Sequence, residues 1–108
     1  MALVARALDA EAKVGASTAL KLDAGTYRVS YWACAKFGKT ATVGAHLADN
    51  EFPEDTVGDK WKQFAHEVEI EKRVLSGSLR IWTSTLNVRV WFDDVEVVMT
   101  RRADPRFD

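Results

Sequence analysis

Through most of the chain, apolar residues alternate with polar ones, and this period of two restricts the fold more than any other feature. Between positions 27 and 33, Tyr27, Val29 and Tyr31 fall on one side, and Arg28 and Trp32 fall on the other. Because successive side chains of a β-strand point to opposite faces of a sheet, the pattern predicts a strand with one buried face. The same alternation recurs in residues 20–22, 43–47, 64–70, 79–83 and 88–98.

Turn-forming residues separate these segments. Turns are predicted at residues 23–25, 37–39 and 76–77, where Gly recurs. Residues 48–60 are rich in Asp, Glu, Pro and Gly, which indicates a long polar loop. Six or seven short strands with turns every eight to twelve residues or so predict an all-β fold, an antiparallel β-sandwich or jelly roll.

The two ends of the chain are less regular. Residues 2–14 could form a short helix by propensity or an edge strand, and we favour a strand for residues 2–8. Residues 101–108 show no periodicity and are expected to form an extended C-terminal arm. The prediction is therefore one domain over residues 1–108, with its core at about 16–100 and arm-like termini.

Composition and charge exclude several classes of function. A chain of 108 residues suffices for one domain with its own core but not for two. The net charge of −1 gives no reason to expect a nucleic acid or an anionic membrane as partner. The N-terminal residues lack the features of a secretory signal, so we expect cytoplasmic synthesis without a leader. Since Cys34 is the single cysteine, we expect no disulfide within the chain and no thiolate metal cluster.

Four segments together resemble a known family. They are LDAGTYRVSYW at 22–32, WKQF at 61–64, LRI at 79–81 and VWFDDVEV at 90–97. Over residues 16–99 the chain is similar to galactose-binding-like jelly rolls, and most of all to the carbohydrate-binding modules attached to bacterial glycanases. The resemblance implies a jelly roll that binds a glycan through surface aromatic side chains. Some of these modules hold a structural calcium ion, and Asp94 matches one aspartate that contributes to it.

Asp93 and Asp94 interrupt the last alternating segment. Paired carboxylates can act as acid and base in a glycosidase, but adjacent strand residues point to opposite faces and cannot flank one sugar bond. We favour a structural reading, in which Asp94 caps backbone N–H groups at a β-bulge where the alternation shifts. A bound cation at Asp94 and a catalytic role are the alternatives.

No other residues form a recognisable catalytic or metal-binding pattern. His46 and His66 lack partners at the spacings typical of zinc sites, so we expect surface or rim histidines and no metal site. Cys34 is expected to fill space on a sheet face. We therefore expect no enzyme activity and no cofactor, apart from the possible structural calcium.

Three strands carry both an arginine and a tryptophan on the side opposite their predicted buried face. If these strands are neighbours, the three tryptophans form an apolar surface, and monomeric proteins usually avoid such surfaces. A chain segment that covers them, a protein–protein interface and a sugar-stacking surface are the open alternatives. Trp61 is expected to have a different role, namely to anchor the 48–60 loop on the core edge. The pairs are Arg28 with Trp32, Arg80 with Trp82, and Arg89 with Trp91.

Two functions compete on these grounds. The favoured hypothesis is a structural assembly subunit, such as a decoration or cement protein of a bacteriophage head. It would form a homo-oligomer and bind protein subunits of a virion through the Trp/Arg face and the ordered termini. The alternative is a carbohydrate-binding module whose surface aromatic side chains recognise a glycan.

Overall fold

The computed structural model describes residues 3–6, 14–85 and 87–102. Within these ranges every regular element is a β-strand, and no helix that could cross a membrane occurs. The all-β prediction is thus confirmed. The strands are β1 (Leu3–Arg6), β2 (Val14–Leu22), β3 (Gly25–Ala35), β4 (Ala41–Leu47), β5 (Asn50–Glu51), β6 (Asp55–Val57), β7 (Lys62–Ile70), β8 (Val74–Thr83) and β9 (Arg89–Arg102).

The strands form two antiparallel sheets. One sheet has four strands in the order β1-β9-β3-β7. The other has five: β2, β8 and β4 are paired in that order, and β5 and β6 both pair with β4. Strands that are adjacent in the chain therefore often lie in different sheets, as in a β-sandwich.

The core lies between the sheets and is built from the inward-facing half of each strand. Tyr27, Val29 and Tyr31 are buried on β3, as the alternation predicted. The Tyr31 ring lies 5.5 Å from the Phe64 ring of β7 and 6.0 Å from the Phe92 ring of β9. Full burial of a large apolar side chain stabilises a fold by roughly 1.5–3 kcal/mol, so these aromatic contacts help to hold β3, β7 and β9 together on the core side of the four-stranded sheet.

The interruption in β9 is a β-bulge, as predicted. Trp32 of β3 pairs with Asp93 and Ser30 pairs with Glu96, so residues 94 and 95 together face one residue of β3. Asp94 adopts a left-handed conformation (φ 49°), which is typical of Asp in such a position. The carboxylate that bonds the backbone belongs to the other residue of the pair: Asp93 Oδ1 accepts the Asp94 N–H at 2.9 Å. The prediction that Asp94 provides the cap is therefore wrong.

Three predicted boundaries need correction. Residues 48–60, predicted to be a polar loop, contain the short strands β5 and β6, which both pair with β4. Polar side chains do not prevent this pairing, because it is made by backbone groups. Residues 76–77 lie inside β8, and residues 71–73 provide the turn. The predicted C-terminal arm begins in a strand, since Arg101 and Arg102 pair with Thr26 and Gly25. The remainder of that arm, from residue 103, lies outside the described residues.

The N-terminal prediction is confirmed over a short range. Leu3–Arg6 forms β1 and pairs with β9, from Leu3 opposite Phe92 to Arg6 opposite Arg89. This is an edge strand, the form favoured for residues 2–8. The other residues of that segment lie outside the described part of the chain.

A partly buried polar cluster connects β6, which carries Asp55, with β7, which carries His66. The Asp55 carboxylate accepts the Tyr31 hydroxyl at 2.8 Å, and the His66 Nε2 lies 2.7 Å from the same oxygen. The Phe52 ring stacks on the His66 ring, with centroids 5.0 Å apart. Burial, followed by the hydrogen bond to Asp55, raises the pKa of Tyr31 far above its usual value, so this hydroxyl stays a donor. His66 is thus a satisfied rim histidine, as expected.

Replacement of Asp55 by Ala is expected to destabilise the protein. It removes the common acceptor of Tyr31 and His66, and each polar group left without a partner costs about 1–3 kcal/mol. The His66 side chain keeps 15% of its surface exposed, so its share belongs at the lower end of that range. Urea unfolding measures the loss. Asp49→Ala is the matched control, since Asp49 is exposed in the same loop, and equal stability of the two variants would contradict the account.

Candidate functional site

The outer face of the four-stranded sheet carries two of the predicted tryptophans. Trp32 of β3 and Trp91 of β9 are both half-buried and lie on neighbouring strands. Trp91 pairs with Cys34, and Trp32 pairs with Asp93, so the two indoles occupy diagonal positions in adjacent rows. Diagonal neighbours are within reach of each other when the side chains are aromatic.

Trp61 joins this face, although the sequence suggested a different role for it. It directly precedes β7, two residues before Gln63, which pairs with Trp32. If the register of Trp32 with Gln63 and Ala33 with Lys62 is continued by one residue, Trp61 falls opposite Cys34 and on the same side as Trp32. Trp61 is 47% exposed and lines a shallow surface depression with residues 58–60 and Lys62. The expected role of Trp61 as the anchor of the 48–60 loop on the core edge stays a prediction. Trp32, Trp61 and Trp91 are hereafter the tryptophan platform.

Cys34 shares the outer face with the platform: it pairs with Trp91 and follows Trp32 by two residues on β3. Burial raises the pKa of its thiol, and the negative charge of Asp59 raises it further. The Ala35 N–H donates to the Gly58 carbonyl at 2.8 Å, so the segment before Trp61 lies against the end of the strand that carries Cys34. The predicted role as filler on a sheet face is consistent with this position, because a neutral thiol behaves as a small apolar group.

Alkylation of Cys34 is expected to be slow in the folded protein. The thiolate is the reactive form, and a raised pKa lowers the thiolate fraction at any pH below it. Iodoacetamide at pH 8 should therefore modify Cys34 more slowly in the native chain than in the urea-unfolded chain. Asp59→Asn should increase the native rate, since it removes a negative charge near the thiol. Equal native and unfolded rates would show that the thiol is not shielded.

Polar side chains border the platform in the same rows. Asp93 and Gln63 lie on either side of Trp32, across β9 and β7 respectively. In the next row, Ser30 pairs with Glu96. Carboxylate and amide groups beside partly exposed indoles provide hydrogen-bond acceptors and donors around an apolar surface.

The predicted face of three tryptophans does not form as expected, because Trp82 lies on the other sheet. β8 pairs with β2 and β4, so Arg80 and Trp82 face the opposite side of the sandwich. Trp82 is only 1% exposed. Its indole lies over Gly44, where an added Cβ would approach the ring to within 2.1 Å. Alternation correctly assigned Trp82 to the side away from Ile81, but it could not show which sheet the strand joins.

The three arginines are distributed differently from the prediction as well. Arg28 and Arg89 are exposed on the outer side of the four-stranded sheet. Arg28 pairs with Glu67 and Val98, two rows from Trp32, whereas Arg89 precedes Trp91 by two residues. Arg80 lies on the five-stranded sheet. Two of the three predicted Arg/Trp pairs therefore lie on the four-stranded sheet, and the third, Arg80 with Trp82, lies on the other sheet.

The outer face of the five-stranded sheet carries a polar row. Arg80 pairs with Ser17 on one side and with His46 on the other, and His46 pairs with Glu51. This face offers hydrogen-bonding groups. Its tryptophan is buried, however, so the face presents no indole for stacking.

Metal binding finds no geometric support in the described residues. No group of three or more His, Cys, Asp and Glu side chains could hold a metal ion there. Asp94, the candidate calcium ligand, is exposed at the bulge, and its N–H bonds Asp93.

The sequence analysis missed the outward position of Trp61 and the contact between Asp55 and His66. Trp61 has the spacing of an outward residue of β7, and that signal was present in the alternation through Gln63. The contact between Asp55 and His66 joins positions eleven residues apart across a loop, and no spacing rule points to it.

Several solved structures share the fold. The CBM22-1 xylan-binding domain of Paenibacillus barcinonensis Xyn10C matches with a TM-score of 0.63 and 13% sequence identity, over 93% of this chain and 83% of that one. The CBM22-1–GH10 modules of Clostridium thermocellum endo-1,4-β-D-xylanase 10B, complexed with xylohexaose, match with a TM-score of 0.70 and 19% identity. That match covers 86% of this chain but 21% of the other, so the chain spans about a fifth of the xylanase structure.

A CBM4 structure also matches, with a TM-score of 0.58 and 17% identity over 82% of this chain and 61% of that one. No protein-family model matches the chain, and no curated protein matches it in sequence.

These matches overturn the predicted assembly function. The decoration or cement protein of a virion rested on analogy with small β-sandwiches in general, and that architecture hosts many unrelated functions. The similar structures are instead carbohydrate-binding modules, which favours the glycan alternative over protein subunits as partners. The chain has the β-sandwich fold of these carbohydrate-binding-module structures.

Proposed function

We propose that the chain is a non-catalytic carbohydrate-binding module and that the tryptophan platform is its glycan-binding site. The observation that carries the proposal is the presence of three partly exposed indoles on one face of the four-stranded sheet. A folded protein gains little by leaving such side chains in contact with water, and an apolar surface bordered by polar groups is typical of a binding site.

The chemistry of the platform suits a sugar chain. The faces of pyranose rings expose C–H groups, which pack against flat aromatic rings, and the ring edges carry hydroxyl groups. Asp93 and Gln63 flank Trp32 at positions from which they can bond such hydroxyls. Stacking supplies most of the affinity, whereas the carboxylate and the amide orient the sugar.

Xylan is the first ligand to test. Among the structures that share the fold, one is named as a xylan-binding domain and another is complexed with xylohexaose. At 13% and 19% identity these structures support a polysaccharide as the class of ligand, and the following experiment identifies the sugar.

Affinity electrophoresis against a polysaccharide panel tests the proposed function. The untagged chain is run in native gels that contain xylan, hydroxyethylcellulose, mannan, galactan or no polysaccharide. We expect retardation by xylan relative to the plain gel, with a control protein of similar size unaffected. Unchanged mobility in every gel would contradict the proposal.

A further inference from the structure

An exposed aromatic residue lies at the end of the strand that carries Trp32. Phe37 lies in the turn between β3 and β4 and is 90% exposed, the highest value among the large apolar side chains described. A single exposed apolar residue is common in folded proteins. Phe37 differs because its turn is held firmly and because it lies at the end of the sheet that carries the platform.

Backbone hydrogen bonds fix this turn on two sides. The Lys36 N–H donates to the Arg89 carbonyl at 2.9 Å, which ties the turn to the start of β9. The Lys39 N–H donates to the Lys36 carbonyl, also at 2.9 Å, and Gly38 supplies the positive φ of 75° that the turn requires. The position of Phe37 is thus set by the backbone before any ligand arrives.

The same turn is bonded to the segment that carries Trp61. The Asp59 carboxylate accepts the Gly38 N–H at 2.9 Å, and the Ala35 N–H donates to the Gly58 carbonyl at 2.8 Å. Two hydrogen bonds therefore join residues 35–39 to residues 58 and 59, the segment that leads to Trp61. The hydrogen bond between Asp59 and Gly38 connects the two aromatic positions. Phe37 directly precedes Gly38, and Trp61 follows Asp59 by two residues.

We propose that Phe37 extends the glycan-binding site beyond the sheet as a further aromatic contact, and that Asp59 is the positioning residue that holds Phe37 and Trp61 in place. The inference rests on the proposed function, because the occupant is the same sugar chain that stacks on the platform. The site would then accommodate a longer segment of polysaccharide than the platform alone. Short oligosaccharides would occupy the platform, and only longer ones would reach Phe37.

Calorimetric titration with xylotriose and xylohexaose tests this inference. Phe37→Ala should weaken xylohexaose binding about tenfold, as expected for the loss of one aromatic contact, and should leave xylotriose binding within about twofold. Leu75→Ala is the matched control: Leu75 is also exposed, but it lies at the other end of the sandwich, and its removal should change neither affinity.

Asp59 is tested with two variants. Asp59→Ala should weaken xylohexaose binding about tenfold, since it frees the segment that carries Trp61. Asp59→Asn should retain the affinity, because its amide oxygen can still accept the Gly38 N–H. If Asp59 acted only on stability, the Asp59→Ala variant would have a lower thermal midpoint and the Asp59→Asn variant would not recover the affinity for xylohexaose.

The outcomes separate the two proposals. If the wild type binds neither oligosaccharide nor polysaccharide, the proposed function fails and the extension fails with it. If the wild type binds xylohexaose and the Phe37→Ala and Asp59→Ala variants bind it equally well, the proposed function stands and the extension is wrong.

Discussion

Trp82→Ala is expected to lower the free energy of unfolding by about 3–5 kcal/mol, the cost typical of removing a buried aromatic side chain. The indole is fully buried over Gly44, so its removal leaves a cavity lined by the backbone of β4. That backbone cannot move inward without disturbing the pairs that β4 makes with β8. Urea unfolding followed by far-ultraviolet circular dichroism measures the loss.

Trp61→Ala is the matched control, because it removes the same side chain from a half-exposed position. It should cost about 1 kcal/mol or less, as is usual for surface substitutions and small losses of contact. Gly44→Val should also destabilise strongly, since the new Cβ would enter the Trp82 ring. Similar losses for Trp82→Ala and Trp61→Ala would contradict the difference in burial between the two tryptophans.

Trp32→Ala and Trp91→Ala are expected to abolish most of the glycan affinity while leaving the fold intact. Truncation of a central tryptophan in a binding site costs roughly 2 kcal/mol or more, which corresponds to about a thirtyfold loss of affinity. The double variant should show no binding in calorimetric titrations with xylohexaose. Its circular dichroism spectrum should match that of the wild type, because both side chains lie on the outer face.

The opposite face provides the control for this prediction. Arg80→Ala and His46→Ala alter the polar row on the five-stranded sheet and should leave the affinity within about twofold. If these two variants lose binding and the Trp32 and Trp91 variants retain it, the glycan site lies on the five-stranded sheet.

The strands and the bulge could be predicted because both depend on local sequence. The alternation around Tyr27, Val29 and Tyr31 correctly identified the buried face of β3. The shift of alternation at Asp93 and Asp94 indicated the bulge, since an inserted residue moves every later side chain to the other face. Such patterns act over a few residues, so one sequence is enough to recognise them.

The composition of the site could not be predicted because it depends on which strands become neighbours. Alternation assigns Trp82 to a side of β8, but the pairing of β8 with β4 joins residues that are distant in the chain. Trp61 was read as a loop anchor, although its spacing from Gln63 places it on the outer face with Trp32. The tryptophan platform therefore contains Trp61, whereas the sequence had predicted Trp82 in that place.

The most direct test follows the indole N–H signals of the four tryptophans in a ¹H–¹⁵N correlation spectrum during titration with xylohexaose. Each signal reports one side chain, and single Trp→Phe variants provide the assignments. We predict that the signals of Trp32, Trp61 and Trp91 shift with one common affinity while that of Trp82 stays in place. A titration in which Trp82 shifts and the other three do not, or in which none shifts, would contradict a glycan site on the tryptophan platform.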